Sequence, residues 1–582
     1  MSIRKNLLAL IGTVILLLSL SVPIMQCAPA AEEEVTPPAE GGEVTPPAEE
    51  EVTPPAEEEV TPPAGEIKYG GRLNIGFTAM LPSLRQAPGV MHTNWGCLWD
   101  LIVYDNWAAY NLPPDYYKFN PEFVQSYETS EDGLTWTLHL VEGATWHDGV
   151  PVTAEDIKFN CEVIISTGGG DVDFCVDHVE IIDDYTAKVV NTRALTTVNP
   201  PGWWSWNPIL PKHIFEPYKD NIESCPNEES IGSGPFKLKE FKSGEYMWLE
   251  AYEDYWGGRP YVDEVIFRLY PTMETLLMAL EKGEIDVLGN SYLPPSLVEE
   301  FEANPNMAVE VVQGITIYDL CFNLHKDTPL RDVNIRKAIA YGIDRDRLID
   351  MAFMGYAVKN DSWVYAEDPM HNPNLPQYDY NPEKANEMLD TAGYLDTDGD
   401  GIRNDLATGK NLALELMCPA TDVAIVKMGT LIKEMLPLIG VDVDLAVLES
   451  DTFLSFIWNP PADAYEMALR YVEPSPAPYS DWIWIEAMSW GSGGDWWNPS
   501  YYDNPHFNEL VALLGTAQSM EERKEYMYEL QEILSEDFPE AFLLRPEAIS
   551  VYRTDKFEGW ENQVGGPVSW FNPWSISKVH LK

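Results

Sequence analysis

The stretch from Asn120 to Phe159, NPEFVQSYETSEDGLTWTLHLVEGATWHDGVPVTAEDIKF, constrains this chain most, because it sets a strand, two turns and a capped helix side by side. Leu134, Trp136, Leu138 and Leu140 alternate with Thr135, Thr137 and His139, the period of a strand with one face on a core. Glu131-Asp132-Gly133 supplies a turn before the strand, and His147-Asp148-Gly149 a turn after it. Thr153 and Asp156 have the spacing of a capping box, which predicts a helix from about Ala154 through Ile165. The stretch carries no catalytic group, and His147 and Asp148 read as turn chemistry.

The same alternation continues along the chain and points to an α/β body. Gly71–Phe77 reads as a first strand, a helical segment spans Trp95 to Leu101, and Val179–Val190 reads as a hairpin around Asp183-Asp184. Thr272–Lys282 is an amphipathic helix stopped by Gly283, followed by a strand at Glu284–Leu288. Further on, Ile315–Asn323 is a strand, Asn334–Met351 one helix, and Pro382–Ala392 another led by Asn381. Phe507–Leu514 and Met520–Ser535 read as two closing helices, after which Ala541–Arg545 and Ile549–Tyr552 carry the chain back to its first part. With 582 residues, the chain exceeds what one hydrophobic core organises.

The N-terminus has a different logic. Arg4 and Lys5 precede an apolar run from Leu7 to Val22, the layout of a secretory signal and shorter than a spanning helix needs. Ile24-Met25-Gln26-Cys27 is similar to a bacterial lipobox, making Cys27 a lipidation candidate, although Gln26 stands where a small residue is usual. Residues 28–66 repeat EVTPPA four times and hold no basic residue. Paired prolines and repelling Glu runs make this a semi-rigid spacer of on the order of 100 Å. The expected location is extracytoplasmic, tethered to the outer face of the cell membrane.

A formal charge of −57 argues against nucleic acid and against docking on anionic lipid, both of which call for clustered Lys and Arg. Of the seven cysteines, none forms a CxxC pair; without Cys27, six remain, compatible with zero to three disulfides. HExxH, GxxxxGK[ST] and GxSxG are absent, so an enzyme has no motif to rest on. In Asp396-Thr-Asp-Gly-Asp-Gly-Ile-Arg-Asn-Asp405, the residues Asp396, Asp398 and Asp400 match the first half of a Ca²⁺ loop. The twelfth position is Ala407 rather than Glu, with Asp405 available to compensate in a shorter loop. A structural Ca²⁺ and a plain acidic turn both fit; no other cofactor is required.

Five stretches in order carry a resemblance: DGLTWTLHLVEGATWHDGVPVTAEDIKF, IGSGPFKL, YEDYWGGRPYVDEVIFRLYP with LEKGEIDVL, IRKAIAYGIDRDRLI and YNPEKANEMLDTAGY. Together they resemble the family 5 extracellular solute-binding proteins, the peptide- and nickel-type receptors of ABC importers. The resemblance implies a two-lobed periplasmic-binding-protein-like α/β fold with a hinge, its larger first lobe discontinuous and carrying an extra subdomain. The implied boundaries are 1–27 signal, 28–66 tether, 67–313 lobe I, 314–545 lobe II, and 546–582 returning to lobe I. It also implies a monomer that takes a small-molecule or peptide solute, partners an ABC permease and its ATPases, and catalyses nothing.

For the ligand, Trp203 lies with Trp204 and Trp206 in a Pro/Gly-rich loop, where a second lobe or a solute would cover them. Peptide-binding relatives place an Asp after the strand at Tyr465–Tyr471 to neutralise the peptide amino group. Here Ser475 stands about where that Asp would be, and Asp481 follows among Trp482, Trp484 and Trp490. Trp95, Trp203, Asp481, Trp482 and Trp484 are the candidate ligand-binding residues. An indole-lined cleft with few charges suits a peptide-like solute, and equally the sugar face of an oligosaccharide receptor or a surface carbohydrate-binding protein.

Overall fold

The structure is a computed structural model describing residues 67–78, 102–104, 122–167, 176–192, 194, 209–226, 228–289, 292–458, 465–472, 498–514, 516–561, 565–568 and 575–582. Contacts divide the chain at Gly65/Glu66, and the body after that point has the following architecture.

The alternation at 134–140 becomes a strand, Thr135–Leu140, that turns Trp136, Leu138 and Leu140 inward. It sits in a four-stranded antiparallel sheet with Val124–Thr129, Thr186–Asn191 and Val176–Asp183. The helix Ala154–Thr167 buries Ile157 and Cys161 in the same cluster, beside Trp146 and Val152. Its start is held by the reciprocal half of the capping box, Thr153 N–H donating to Asp156 Oδ2 at 2.9 Å. The other Asp156 oxygen accepts from Lys212 N–H at 3.0 Å, which joins this small sheet to the next segment.

Among the described residues, the main sheet has twelve strands in two halves that share one long member, Glu540–Arg553. In the first half, Phe236–Lys242, Tyr246–Ala251, Glu264–Leu269, Arg72–Phe77 and Val287–Leu288 lie side by side, and Met307–Gln313 pairs with Glu547–Arg553. In the second half, Ile317–Phe322 pairs with both Met467–Val472 and the start of the long strand. Ala413–Pro419 and Asp442–Leu448 extend that half outward. Each half has its own core. Lobe I gathers Leu73, Ile75, Phe236, Leu249 and Val265; lobe II gathers Leu320, Ile339, Leu416, Ile432 and Leu469. Full burial of such a side chain stabilises by about 1.5–3 kcal/mol, so each core holds its lobe together independently. The chain passes between the two cores twice, at residues 314–316 and at Pro546.

Several local signals act as read. Thr272 caps the helix Met273–Lys282, and Gly283 ends it at φ +73°. Asn381 caps Pro382–Thr391. One expectation needs correction. The single helix over 334–351 is two helices, Val333–Gly342 and Arg345–Phe353, because Asp344 leaves helical geometry and caps the second by accepting from Arg347 N–H. Gly342 fits the break, since a Cβ there would lie 2.6 Å from the Ile439 side chain. The returning segments 541–545 and 549–552 lie in one strand, uninterrupted through Pro546, which is opposite Ala357 on the short edge strand Ala357–Lys359. The helical reading of Trp95–Leu101 lies outside the described residues.

Candidate functional site

In open α/β sheets, ligands collect beyond the carboxyl ends of parallel strands, because the loops that leave there are free to vary. In lobe I, Arg72–Phe77 runs parallel to Glu264–Leu269 and Val287–Leu288, with carboxyl ends at Phe77, Leu269 and Leu288. In lobe II, Ala413–Pro419 runs parallel to Asp442–Leu448 and Met467–Val472, with ends at Pro419, Leu448 and Val472. Trp95 belongs to the segment after Phe77, and Asp481, Trp482 and Trp484 to the segment after Val472. Trp203 follows the Thr186–Asn191 strand of the smaller sheet. All five lie outside the described residues, as does Cys27.

What the structure does describe is the base from which the Asp481 segment leaves. Val472 pairs with Ile317 and packs in a small buried cluster with Ile317, Tyr365 and Phe542. One residue earlier, half-exposed Tyr471 pairs with Tyr318, whose hydroxyl donates to Asp422 at 2.7 Å. Next to these, Arg470 is buried between two carboxylates, with Nε 3.0 Å from Asp319 Oδ2 and a terminal nitrogen 2.6 Å from Glu540 Oε1. The three residues come from adjacent strands and fix their register from inside. Burial pushes the Asp319 carboxyl above the usual carboxylate range; Arg470 opposes this, and Glu540 adds to it. Asp319 Oδ1 is buried and has no hydrogen-bond partner, consistent with a carboxyl that favours its neutral form. Residue-by-residue reading misses this triad, although one charged residue in each of IYDLCF, MALRYV and EAFLL is a visible signal.

His147 is structural. Its Nε2 donates to Gly234 O at 2.9 Å, and its Nδ1 accepts from Gly232 N–H at 3.2 Å, which fixes the neutral tautomer. Burial lowers its pKa to about 4, against the opposing bond to Gly234. Gly232 and Gly234 are required by close approach: a Cβ would meet Val103 O at 1.9 Å and Ile102 O at 2.7 Å. The turn read at 147–149 therefore ties the four-stranded subdomain to lobe I. Asp148 accepts from His213 at 2.8 Å, also within the scaffold.

The acidic turn gathers three of its four candidate residues. Asp396, Asp398 and Asp400 are exposed, with carboxylate oxygens within 4.8 Å of one another. Asp405 is not in the group, because Ala407 N–H and Thr408 Oγ1 donate to its carboxylate. The three gathered carboxylates also accept the N–H groups of Gly399, Asp400, Gly401 and Ile402. Cys161, Cys321 and Cys418 are buried free thiols, so none of these three takes part in a disulfide; burial pushes Cys418 up to about 11. Among the described residues, no helix is long and apolar enough to cross a membrane.

Residues 118–490 match the model of the bacterial extracellular solute-binding proteins, family 5. The chain belongs to that family. The oligopeptide-binding protein AppA of Bacillus subtilis is 28% identical over 448 residues, covering 73% of this chain and 77% of the relative. The nickel-binding periplasmic protein of Escherichia coli is 28% identical over 338 residues, covering 56% and 62%. The solved structure of the ABC transporter substrate-binding protein CtaP from Listeria monocytogenes aligns with a TM-score of 0.75 at 25% identity, covering 88% of this chain and 100% of that one.

Proposed function

We propose that this chain is the extracytoplasmic substrate-binding protein of an ABC importer and that it captures a peptide or peptide-like solute between its lobes for delivery to a membrane permease. The observation that carries this reading is the pair of separate cores joined by two crossing strands, within a family 5 match. Such a joint lets one lobe rotate against the other, and the chemistry is the difference in solute affinity between open and closed arrangements. The peptide class rests on the oligopeptide-binding relative, which covers more of the chain than the nickel-binding one does. The oligosaccharide alternative draws no support from these relatives.

Trp95, Trp203, Trp482 and Trp484 would supply apolar contact area, and Asp481 a charge for an amino group. Cys27 would carry the lipid and residues 28–66 the spacing from the membrane. Thermal unfolding with defined peptides, a nickel–histidine complex and oligosaccharides tests the solute class. A ligand at a hundred times its Kd stabilises by about 2.7 kcal/mol, and that shift is expected with a peptide and absent with an oligosaccharide. Asp481→Asn and Trp482→Ala should each weaken binding at least about tenfold. Unchanged affinity in both variants would sink the site assignment.

A further inference from the structure

The two crossing strands are held together by a cluster to which neither the fold nor the proposed function gives a role. Arg545 and Tyr365 are each only 2% exposed. Arg545 Nε donates to Gly314 O at 2.6 Å, and the Tyr365 hydroxyl donates to Ile315 O at 2.6 Å. The Arg545 guanidinium lies 3.9 Å from the centre of the Tyr365 ring, and one of its terminal nitrogens donates to Glu367 Oε2 at 2.7 Å. The two strands touch here: a Cβ on Gly314 would lie 2.2 Å from Pro546 O.

These contacts are unequally shared between the lobes. Tyr365 and Glu367 belong to a lobe II segment, and Arg545 and Pro546 are also laddered to the Ala357–Lys359 strand. Tyr365 packs in addition in the buried cluster that holds Val472, from which the Asp481 segment leaves. Both crossing strands are thus fastened to lobe II at the point where they meet, and the fastening shares a side chain with the base of that segment.

We propose that Tyr365, Glu367 and Arg545 form a hinge lock that fastens both crossing strands to lobe II, sets how readily the lobes open and close, and links that motion to the base of the segment after Val472. This rests on the proposed function only in that the lobes move against each other. Tyr365 and Arg545 are positioning residues; neither is assigned a contact with solute. A buried charge-assisted bond and a buried hydroxyl bond to backbone carbonyls suit this role, because releasing either leaves an unpaired acceptor in a buried site.

Backbone amide exchange in the full, solute-free chain, read by mass spectrometry, tests the lock. In Tyr365→Phe and Arg545→Lys, peptides covering 313–318 and 543–549 should exchange at least about tenfold faster, with Arg72–Phe77 and Ala413–Pro419 unchanged. Glu367→Gln should show a smaller acceleration of about two- to threefold in the same hinge peptides. If Arg545→Lys fails to fold, Tyr365→Phe and Glu367→Gln carry the test, since the first removes one hydrogen bond and the second one charge without changing volume much. Unchanged hinge exchange in these variants overturns the lock, and so does a uniform rise across both lobes, which would show ordinary destabilisation. No solute enters this measurement, so failure to find a peptide ligand counts against the proposed function and does not bear on the lock.

Discussion

The two lobes bury polar side chains in opposite ways. Lobe I keeps His147 neutral and satisfies both ring nitrogens with the backbone of two glycines. Lobe II places Arg470 between Asp319 and Glu540 at the centre of its sheet. A neutral ring with two backbone partners is inexpensive to bury and depends on close packing. A guanidinium is expensive to bury and depends on its partners, so losing one leaves an uncompensated charge. The first arrangement welds a subdomain to a lobe. The second lies beside the strand end from which the candidate ligand segment departs, where a fixed register matters most.

The largest expected effect falls on the lobe II side. Arg470→Met should destabilise the chain by about 3–5 kcal/mol in urea unfolding, because two buried carboxylates lose their common cation. The next concerns pH. His147 binds its proton near pH 4 when folded and near 6.5 when unfolded, so the unfolded state takes up more protons between those values. Stability should therefore fall by about 3 kcal/mol as pH drops from above 6.5 to below 4, and His147→Gln should flatten that slope. Gly232→Ala, which sets a methyl against Val103 O, should destabilise by about 1–3 kcal/mol and separate the subdomain's protection from that of lobe I in amide exchange. The smallest effect returns to lobe II. The folded Asp319 carboxyl is raised, so its contribution is full below the ordinary carboxylate range and is lost as pH rises above it, opposite in sign to His147. Asp319→Asn should stay within about 1 kcal/mol of the parent near pH 6 and should remove that opposing slope.

The same contrast between local and distant partners decides what is legible in the sequence. The strand at 135–140, the capped helix after it and the helix at 273–282 are governed by neighbours within a few residues, and their periodicity and caps are visible in the chain. The break at Ile343-Asp344 is hidden because the apolar face continues across it, although Gly342 followed by Asp344 is a stop and a cap in succession. At Pro546 the missing ladder donor is a local signal against a strand, yet the penalty falls away because the residue lies opposite a three-residue edge strand. Arg470 with Asp319, and Arg545 with Gly314, meet across 151 and 231 residues of chain, and no local period reports such a pairing.

If the chain closes around a peptide-like solute without transforming it, natively purified full-length protein should carry that solute with it. Mass spectrometry of what is released on denaturation reads this out. The predicted result is peptide close to one per chain, intact after prolonged incubation with the folded protein. A stoichiometric oligosaccharide in its place, or cleavage of the bound peptide over time, would contradict it.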